Sequence, residues 1–283
     1  MKNAIGFMQG RLSPLVGGRI QAFPAHHWHQ EFPTATSLGL TLMEWTLDAE
    51  GLYKNPLMSE DGRLKIVDLA RCHRISIPSV TGDFIMHAPF YKSTGEAREK
   101  RLEDLANVIE ACGALGISLL VFPLVDDGSV TTADEERNLV EGLAALKGLQ
   151  QRTGVRIVFE SDLPPRELGH FIRGFSVEYF GINLDLGNSA SLGFDVREEI
   201  DAFGERIQNV HVKDRLRGGT TVPLGEGSAN LPHAIRALTA IDYRGNYILQ
   251  TARAPDGDHA GALSRYHDML AHWLQDAAAD VGC

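Results

Sequence analysis

Short apolar segments recur eight times along this 283-residue chain, and a longer segment of helical character follows each of them. The short segments are rich in β-branched and aromatic residues, which favour strands, and the longer ones repeat apolar residues at helical spacing. The eight predicted strands are Ala4–Gln9, Thr41–Thr46, Asp83–Ala88, Ile117–Pro123, Val155–Glu160, Gly181–Asp185, Gln208–Lys213 and Asn246–Thr251.

An undivided series of eight strand–helix units is typical of a closed parallel barrel, which takes about 250 residues. We therefore predict a single α/β domain, a (β/α)8 TIM barrel, over residues 1–283. An open doubly wound sheet is the alternative, but it usually carries a phosphate-binding glycine loop after its first strand. Met8-Gln-Gly-Arg-Leu-Ser-Pro14 stands at that place and does not match such a loop.

Local signals mark several of the predicted helix starts. Ser93-Thr-Gly-Glu96 and Thr132-Ala-Asp-Glu135 have the spacing of capping boxes, in which a hydroxyl and a carboxylate accept from unpaired helix N–H groups. Asn230 and Asp258 are plausible caps of two further helices. Pro33 lies inside the first helical segment and predicts a kink or a break there.

Polar residues share one face of the last four predicted strands, whereas large apolar residues share the other face. If the apolar face packs against the helices, the polar face points into the barrel. The polar residues at the carboxyl ends of these strands are Glu160, Asp185, His211 and Gln250. Since active sites of such barrels form at that end, we expect these four side chains to converge at the barrel mouth.

Two carboxylates buried together are costly unless a positive charge lies between them. Two carboxylates, an imidazole and an amide oxygen would suit one divalent ion, either Mn²⁺, Mg²⁺, Co²⁺ or Zn²⁺. The alternative is that hydrogen bonds or ion pairs satisfy each group separately. We predict the metal site, because four inward polar residues at successive strand ends are unusual for a structural barrel core.

Composition restricts the classes of partner and the compartment. The net charge of −10 argues against nucleic acid, whose binding needs a basic surface. No apolar run reaches the roughly 18 residues of a membrane span, and no secretory signal stands at the N-terminus. Three widely spaced cysteines, Cys72, Cys112 and Cys283, fit reduced thiols in a cytoplasmic protein.

Six motifs at the predicted strand ends and loops carry a resemblance to a known family. They are Met-Glu44-Trp, Met-His87-Ala-Pro-Phe, Val-Phe-Glu160, Asn-Leu-Asp185-Leu-Gly-Asn188, Asn-Val-His211-Val-Lys-Asp214 and Val-Pro-Leu-Gly-Glu-Gly227. Their order and spacing resemble the xylose isomerase-like barrels, specifically the sugar-phosphate isomerase/epimerase branch. That branch includes ketose 3-epimerases, hydroxypyruvate isomerases and inosose dehydratases.

The resemblance implies roles for individual residues. Glu160, Asp185 and His211 would bind the metal, and Glu160 would also act as the catalytic base. His87 would line the pocket. The residues implied or predicted to bind substrate are Glu44, Asn188, Arg217 and Arg253.

Gln250 departs from the family pattern, which has a glutamate at the end of the eighth strand. An amide can ligate a metal but cannot exchange a proton near neutral pH, so we expect weaker metal binding and no symmetric two-carboxylate epimerisation. A second acid would then be Lys213, His87 or a water molecule.

We therefore expect a divalent-metal-dependent isomerase or epimerase that acts on a small sugar or sugar phosphate through an enediolate, with Glu160 as base. A dehydratase and a catalytically silent sugar-binding barrel remain alternatives, and a homo-oligomer is possible. A basic cluster of Arg11, Lys213, Arg215, Arg217 and Arg253 favours an anionic substrate, although nearby acids could pair with it. A DNA-repair nuclease is disfavoured by the negative charge and the few histidines at strand ends.

Overall fold

The computed structural model describes residues 4–281, in which eight parallel strands close into a barrel with helices around it. The barrel strands are β1 (Ile5–Met8), β2 (Leu42–Thr46), β3 (Ser76–Thr81), β4 (Leu119–Leu124), β5 (Arg156–Ser161), β6 (Phe180–Asp185), β7 (Ile207–Val212) and β10 (Asn246–Leu249). Around the barrel they follow the order β1-β10-β7-β6-β5-β4-β3-β2. A short antiparallel pair, β8 (Asp214–Arg215) and β9 (Thr221–Val222), follows β7. The prediction of a (β/α)8 barrel is confirmed.

Helices connect the barrel strands on the outside. They are α1 (Glu31–Ser37), α2 (Glu60–His73), α3 (Asp83–His87), α4 (Gly95–Leu115), α5 (Ala133–Ala145), α6 (Lys147–Thr153), α7 (Pro165–Arg173), α8 (Leu186–Leu192), α9 (Val196–Phe203), α10 (Leu231–Ala240) and α11 (His259–Val281). Within the described part of the chain, no helix is both long and apolar enough to span a membrane. Cys72 and Cys112 are free thiols, and Cys283 lies outside the described residues.

The third predicted strand is the one that the structure contradicts. The segment predicted as a strand, Asp83–Ala88, forms α3, and the barrel strand lies earlier, at β3. Pro78 obscured that strand in the sequence, because proline cannot donate a ladder hydrogen bond. The barrel accommodates Pro78 at an irregularity, where the register of β3 against β2 shifts between Leu42 and Glu44.

The hydroxyl N-cap of one predicted capping box is confirmed, and the other box is wrong. Thr132 Oγ1 accepts from Glu135 N at 3.2 Å and begins α5. At the start of α4, Ser93 instead donates to Pro89 O at 2.9 Å and accepts from Arg101. That helix begins at Gly95 without a side-chain cap.

Other predicted helix signals also had mixed outcomes. Asp258 Oδ1 accepts from Gly261 N at 2.9 Å at the start of α11, whereas Asn230 precedes α10 with positive φ and no side-chain cap. The kink predicted at Pro33 is wrong, because α1 begins at Glu31 and places Pro33 in the first turn. A proline there removes no helical hydrogen bond.

The strand faces divide as the alternation predicts. Outward residues of β5, β6, β7 and β10 join the large core between the barrel and the helices. Phe159 is representative: its ring lies 5.3 Å from that of Phe171 and 5.1 Å from that of Phe175. Small inward clusters, such as Met8 with Leu42 and Ile248, fill part of the barrel interior. The inward polar residues therefore lie in the upper part of the barrel, near the carboxyl ends of the strands.

Asp214 organises the loop that follows the hairpin of β8 and β9. It is 2% exposed, and its carboxylate accepts from Gly225 N and Gly227 N at 2.9 Å and from Ala229 N at 3.1 Å. These three bonds fix the Val-Pro-Leu-Gly-Glu-Gly segment against the end of β7. Arg215, the residue after Asp214, extends from this point toward the barrel mouth.

Replacing Asp214 with alanine should lower the free energy of unfolding by roughly 2–4 kcal/mol, because three backbone N–H groups lose a charged acceptor. Urea unfolding followed by circular dichroism measures this change. The exposed Asp201 provides the control, and Asp201→Ala should stay within about 0.5 kcal/mol of wild type. Equal stability of both variants would contradict the anchoring role of Asp214.

Candidate metal centre at the barrel mouth

A cavity of about 510 Å³ opens at the carboxyl ends of the barrel strands. One side is formed by the loops after β1, β2, β3 and β4, and the other by residues at the ends of β5, β7 and β10 and by α8. Its volume is that of a site for a small molecule, and its place is the usual active-site face of such barrels.

Glu160 lines this cavity, and Asp185 and His211 lie buried beside it. Each offers a ligand atom within 4.8 Å of the others, and all three are buried. His211 Nδ1 lies 3.1 Å from Glu160 Oε2 and 3.8 Å from Asp185 Oδ2. The three residues come from β5, β6 and β7, which are adjacent in the barrel. The arrangement therefore places two carboxylates and one imidazole around a common point.

Two asparagines orient the Glu160 carboxylate. Asn183 Nδ2 donates to Oε2 at 2.8 Å, and Asn188 Nδ2 donates to Oε1 at 2.7 Å. Asn188 is held in turn by Arg215, whose Nη1 donates to Asn188 Oδ1 at 2.8 Å. Glu160 remains 7% exposed, so one edge of its carboxylate stays open to the cavity.

Glu44 lies directly beneath His211, inside the barrel. Glu44 Oε1 is 2.7 Å from His211 Nε2, and both side chains are fully buried. Ser79 Oγ and Asn209 Nδ2 donate to the other carboxylate oxygen at 2.6 Å and 2.9 Å. When His211 carries its proton on Nε2 and donates it in a hydrogen bond to Glu44, the lone pair of Nδ1 points toward Glu160 and Asp185. Histidines that bind metals usually make such a bond to a carboxylate.

Lys213 lies between Asp185 and Gln250, the residue that follows β10. Its Nζ lies 2.7 Å from Asp185 Oδ2 and donates to Gln250 Oε1 at 3.0 Å. Asp185 Oδ1 accepts from Asn188 N at 2.8 Å and caps α8. Gln250 therefore reaches the site, but its oxygen is occupied by the lysine ammonium.

Charged neighbours strongly shift the pKa values of His211 and Asp185. Burial lowers the pKa of the His211 imidazole, but Glu44, Asp185 and Glu160 outweigh it and raise that pKa well above its ordinary value. Burial raises the pKa of Asp185, but Lys213 and His211 outweigh it and hold that pKa well below its usual range. Both groups therefore favour their charged forms when only protein surrounds them.

Five of the residues predicted for the site line the cavity: His87, Glu160, Asn188, Lys213 and Gln250. Asp185 and His211 do not line it but lie buried beside Glu160. Glu44 was predicted to bind substrate, but it lies below His211 with no exposed surface.

The two arginines predicted to bind substrate do not line this cavity. Arg253 donates from its terminal nitrogens to Gly10 O and Ser13 O, and so it fastens the loop after β1. Arg217 is exposed, and its guanidinium lies against Gly193. Arg215, two residues earlier, lines the cavity instead. Arg215 belongs to the hairpin of β8 and β9, and no pattern in the sequence predicts this short pair of strands.

Sequence reasoning also missed Asn183, Asp48 and Asp83. The strand alternation used for Asp185 places Asn183 on the same inward face, so this signal was available. Asp48 and Asp83 lie in loops after β2 and β3 and line the cavity. The sequence did not indicate Asp83 as a cavity residue, because the predicted strand Asp83–Ala88 places it at the beginning of a strand rather than after one.

Comparisons with known proteins agree with this geometry. The family model of the xylose isomerase-like TIM barrel matches residues 32–273. The L-ribulose-5-phosphate 3-epimerase of Salmonella paratyphi A is 26% identical over 274 residues, which cover 93% of this chain and 94% of the enzyme.

Two solved structures share the fold over nearly the whole chain. A structure of L-ribulose 3-epimerase superposes with a TM-score of 0.76 at 16% identity, and covers 99% of this chain and 97% of its own. A xylose isomerase-like TIM barrel protein from Mycobacterium smegmatis, in complex with magnesium, gives 0.70 at 17% identity and 97% coverage of both chains.

Replacing Glu44 with glutamine should weaken the binding of Mn²⁺ by about 10- to 100-fold. The neutral amide would no longer raise the basicity of the His211 imidazole as the carboxylate does, nor fix its orientation as firmly. Titration calorimetry with Mn²⁺ measures the dissociation constant. Glu199→Gln is the matched control, since Glu199 is a buried carboxylate that accepts from Ser189 rather than His211. Unchanged affinity in a folded Glu44→Gln variant would rule out this supporting role.

Proposed function

The chain belongs to the xylose isomerase-like TIM barrel family, and on this premise we propose that it is a sugar isomerase or epimerase that depends on one divalent metal ion. Its curated relatives include L-ribulose-5-phosphate 3-epimerases, which supports isomerase or epimerase chemistry on a sugar. The observation that carries the proposal is the convergence of Glu160, Asp185 and His211 in a buried cluster, of which Glu160 lines a cavity of small-molecule size.

The residues present fit a divalent ion. Two carboxylates and an imidazole lie within coordination reach of one another, and this donor set suits Mn²⁺, Mg²⁺, Co²⁺ or Zn²⁺. Asp185 Oδ2 is buried and accepts no well-aligned hydrogen bond, although Lys213 Nζ is 2.7 Å away as an ionic partner. Gln250 would add an amide oxygen once Lys213 gives way. A divalent ion bound there would act as a Lewis acid toward the oxygens of an open-chain sugar.

Glu160 is the base in this proposal. Its carboxylate is held by Asn183 and Asn188, so it approaches a substrate in a fixed orientation rather than as a mobile side chain. It removes the proton from the carbon next to the sugar carbonyl, and the charge of the resulting enediolate is stabilised within the site. Return of the proton to the neighbouring carbon gives isomerisation, and return to the opposite face gives epimerisation.

The other cavity residues would bind the sugar. Asn188, His87 and Lys213 offer polar groups along its walls, and Arg19 and Arg215 add positive charge near the rim. That charge supports a sugar phosphate as well as a plain sugar. Glu44 would position His211 rather than touch the substrate. Arg253 would hold the loop after β1, and Arg217 would remain outside.

Incubation in D₂O with Mn²⁺ and a panel of ketoses tests the function. The panel comprises L-ribulose 5-phosphate, L-ribulose, D-tagatose and D-allulose, and we expect at least one to form an isomer or epimer that carries solvent deuterium. Nuclear magnetic resonance detects both the product and the label. Glu160→Gln is the variant that removes the base, and it should lower turnover by about 10²-fold or more. Absence of turnover and of label with every ketose would count against the proposal.

Gln250 favours a second candidate, a sugar-binding barrel without turnover. The amide cannot transfer a proton, and its oxygen already accepts from the ammonium group of Lys213. Such a protein would bind a ketose of the panel in calorimetry and would leave its carbon-bound hydrogens unexchanged in D₂O.

Gln250→Glu should tighten Mn²⁺ binding by about tenfold or more, because it adds a negative charge to the ligand set. Calorimetry in parallel with wild type measures the change. Gln21→Glu adds the same charge elsewhere on the cavity wall and should change the affinity much less. Equal tightening in both variants would show that Gln250 lies outside the coordination sphere and that only the net charge matters.

A further inference from the structure

Asp83 is a cavity residue with no role in the mechanism above. It is the first residue of α3 and lies two positions after Thr81, the last residue of β3. Its carboxylate lines the same cavity as Glu160, and Thr81 Oγ1 donates to Asp83 Oδ1 at 3.0 Å. An acid thus reaches the cavity just after the third strand, at a residue that the sequence predicted to begin a strand.

The turn that carries Asp83 is rigid. Gly82 N donates to Val121 O at 3.0 Å, and Phe84 N donates to Leu47 O at 3.1 Å. A Cβ atom on Gly82 would lie 2.8 Å from Ile85 Cδ1 and 3.0 Å from Val121 O, so this approach to β4 needs a glycine. These backbone contacts on both sides of Asp83 fix the direction of its side chain.

The reaction needs a group of this kind. Epimerisation takes a proton from one face of a carbon and adds a proton to the other, so it needs an acid in addition to Glu160. Gln250 has no proton to exchange. Lys213 lies between Asp185 and Gln250 and is engaged with both. His87 lies at the far end of α3 and is exposed at the rim.

The charges that face Asp83 come from four other parts of the barrel. They are Asp48 after β2, Glu160 of β5, His211 of β7 and Arg11 after β1. Burial, followed by the repulsion of Asp48, raises the pKa of Asp83 to about 7. Near neutral pH the carboxyl group therefore exists in both protonation states, which suits a group that gives and regains a proton.

Asp83 and Glu160 approach the cavity from two directions. Their strands, β3 and β5, flank β4, and Pro123 and Val125 at the end of β4 line the wall between them. A short carbon chain packed against this wall would have one carboxyl group on each side.

We propose that Asp83 is the second proton-transfer residue of the site and acts together with Glu160. The C–H bond of the substrate breaks, its proton passes to Glu160 and its electron pair enters the enediolate. The O–H bond of Asp83 then breaks, and its proton adds to the opposite face of the same carbon with the electron pair of the enediolate. Glu160 ends protonated and Asp83 ionised, and proton exchange with water restores both.

This inference rests on the proposed function, and the experiment separates the two. Wild type and Asp83→Asn are incubated in D₂O with Mn²⁺ and the ketose of the panel that wild type converts fastest. Asp83→Asn should still exchange the substrate hydrogen through Glu160, within about threefold of wild type, while epimer formation falls by about 10²-fold or more. Asp127→Asn, which removes an exposed carboxylate outside the cavity lining, is the matched control and should retain both rates.

A second variant guards against a merely structural effect. Asp83→Glu keeps the acid and should form epimer at least about tenfold faster than Asp83→Asn. Epimer formation by Asp83→Asn at the wild-type rate would overturn the inference and leave the proposed function intact. Equal loss of exchange and epimer formation, with no rescue by Asp83→Glu, would overturn it as well. A wild-type protein that exchanges no ketose would instead refute the proposed function, and the role of Asp83 with it.

Discussion

The contact between Glu44 and His211 is the constraint on which the site depends. Both side chains are wholly buried, and their 2.7 Å separation leaves no room for water. Removing either partner would leave a polar group uncompensated in the barrel interior, which costs far more than an exposed ion pair contributes. The contact also decides which nitrogen of the imidazole faces the cavity, and so it fixes the one atom around which Glu160 and Asp185 are arranged.

A polar layer inside the barrel makes this contact possible. Ser79 and Asn209 satisfy the second oxygen of Glu44, and Asn183 connects Asn209 with Glu160. Strands β2, β3, β6 and β7 thus contribute polar side chains to this layer, which connects to Glu160 at the cavity. Apolar clusters fill the interior elsewhere, and the aromatic core around Phe159 lies outside the strands. The polar side chains of the barrel interior are therefore concentrated near the carboxyl ends of the strands, and apolar side chains fill the remaining interior.

Charge around the cavity is distributed unevenly. On the side of the seventh and eighth barrel strands, Lys213 lies between Asp185 and the neutral Gln250. On the side of the second and third strands, burial raises the pKa of both Asp48 and Asp83, and the charge of Asp48 raises the pKa of Asp83 further. In the mechanism that we propose, Asp83 on this wall supplies the proton that Gln250 on the opposite wall cannot supply.

The sequence by itself determined the number of barrel strands, the faces of the later strands and the meeting of Glu160, Asp185 and His211. These follow from alternation along a strand, which is a local property, and from the rule that parallel strands end on one face. Only the tertiary structure decided that Glu44 lies beneath His211, that Arg215 rather than Arg217 points inward, and that Asp83 enters the cavity. Those outcomes depend on the height of each strand in the barrel, on a bulge at Pro78 and on the path of a short hairpin. Such features arise from contacts between distant segments, and no pattern within a single segment encodes them.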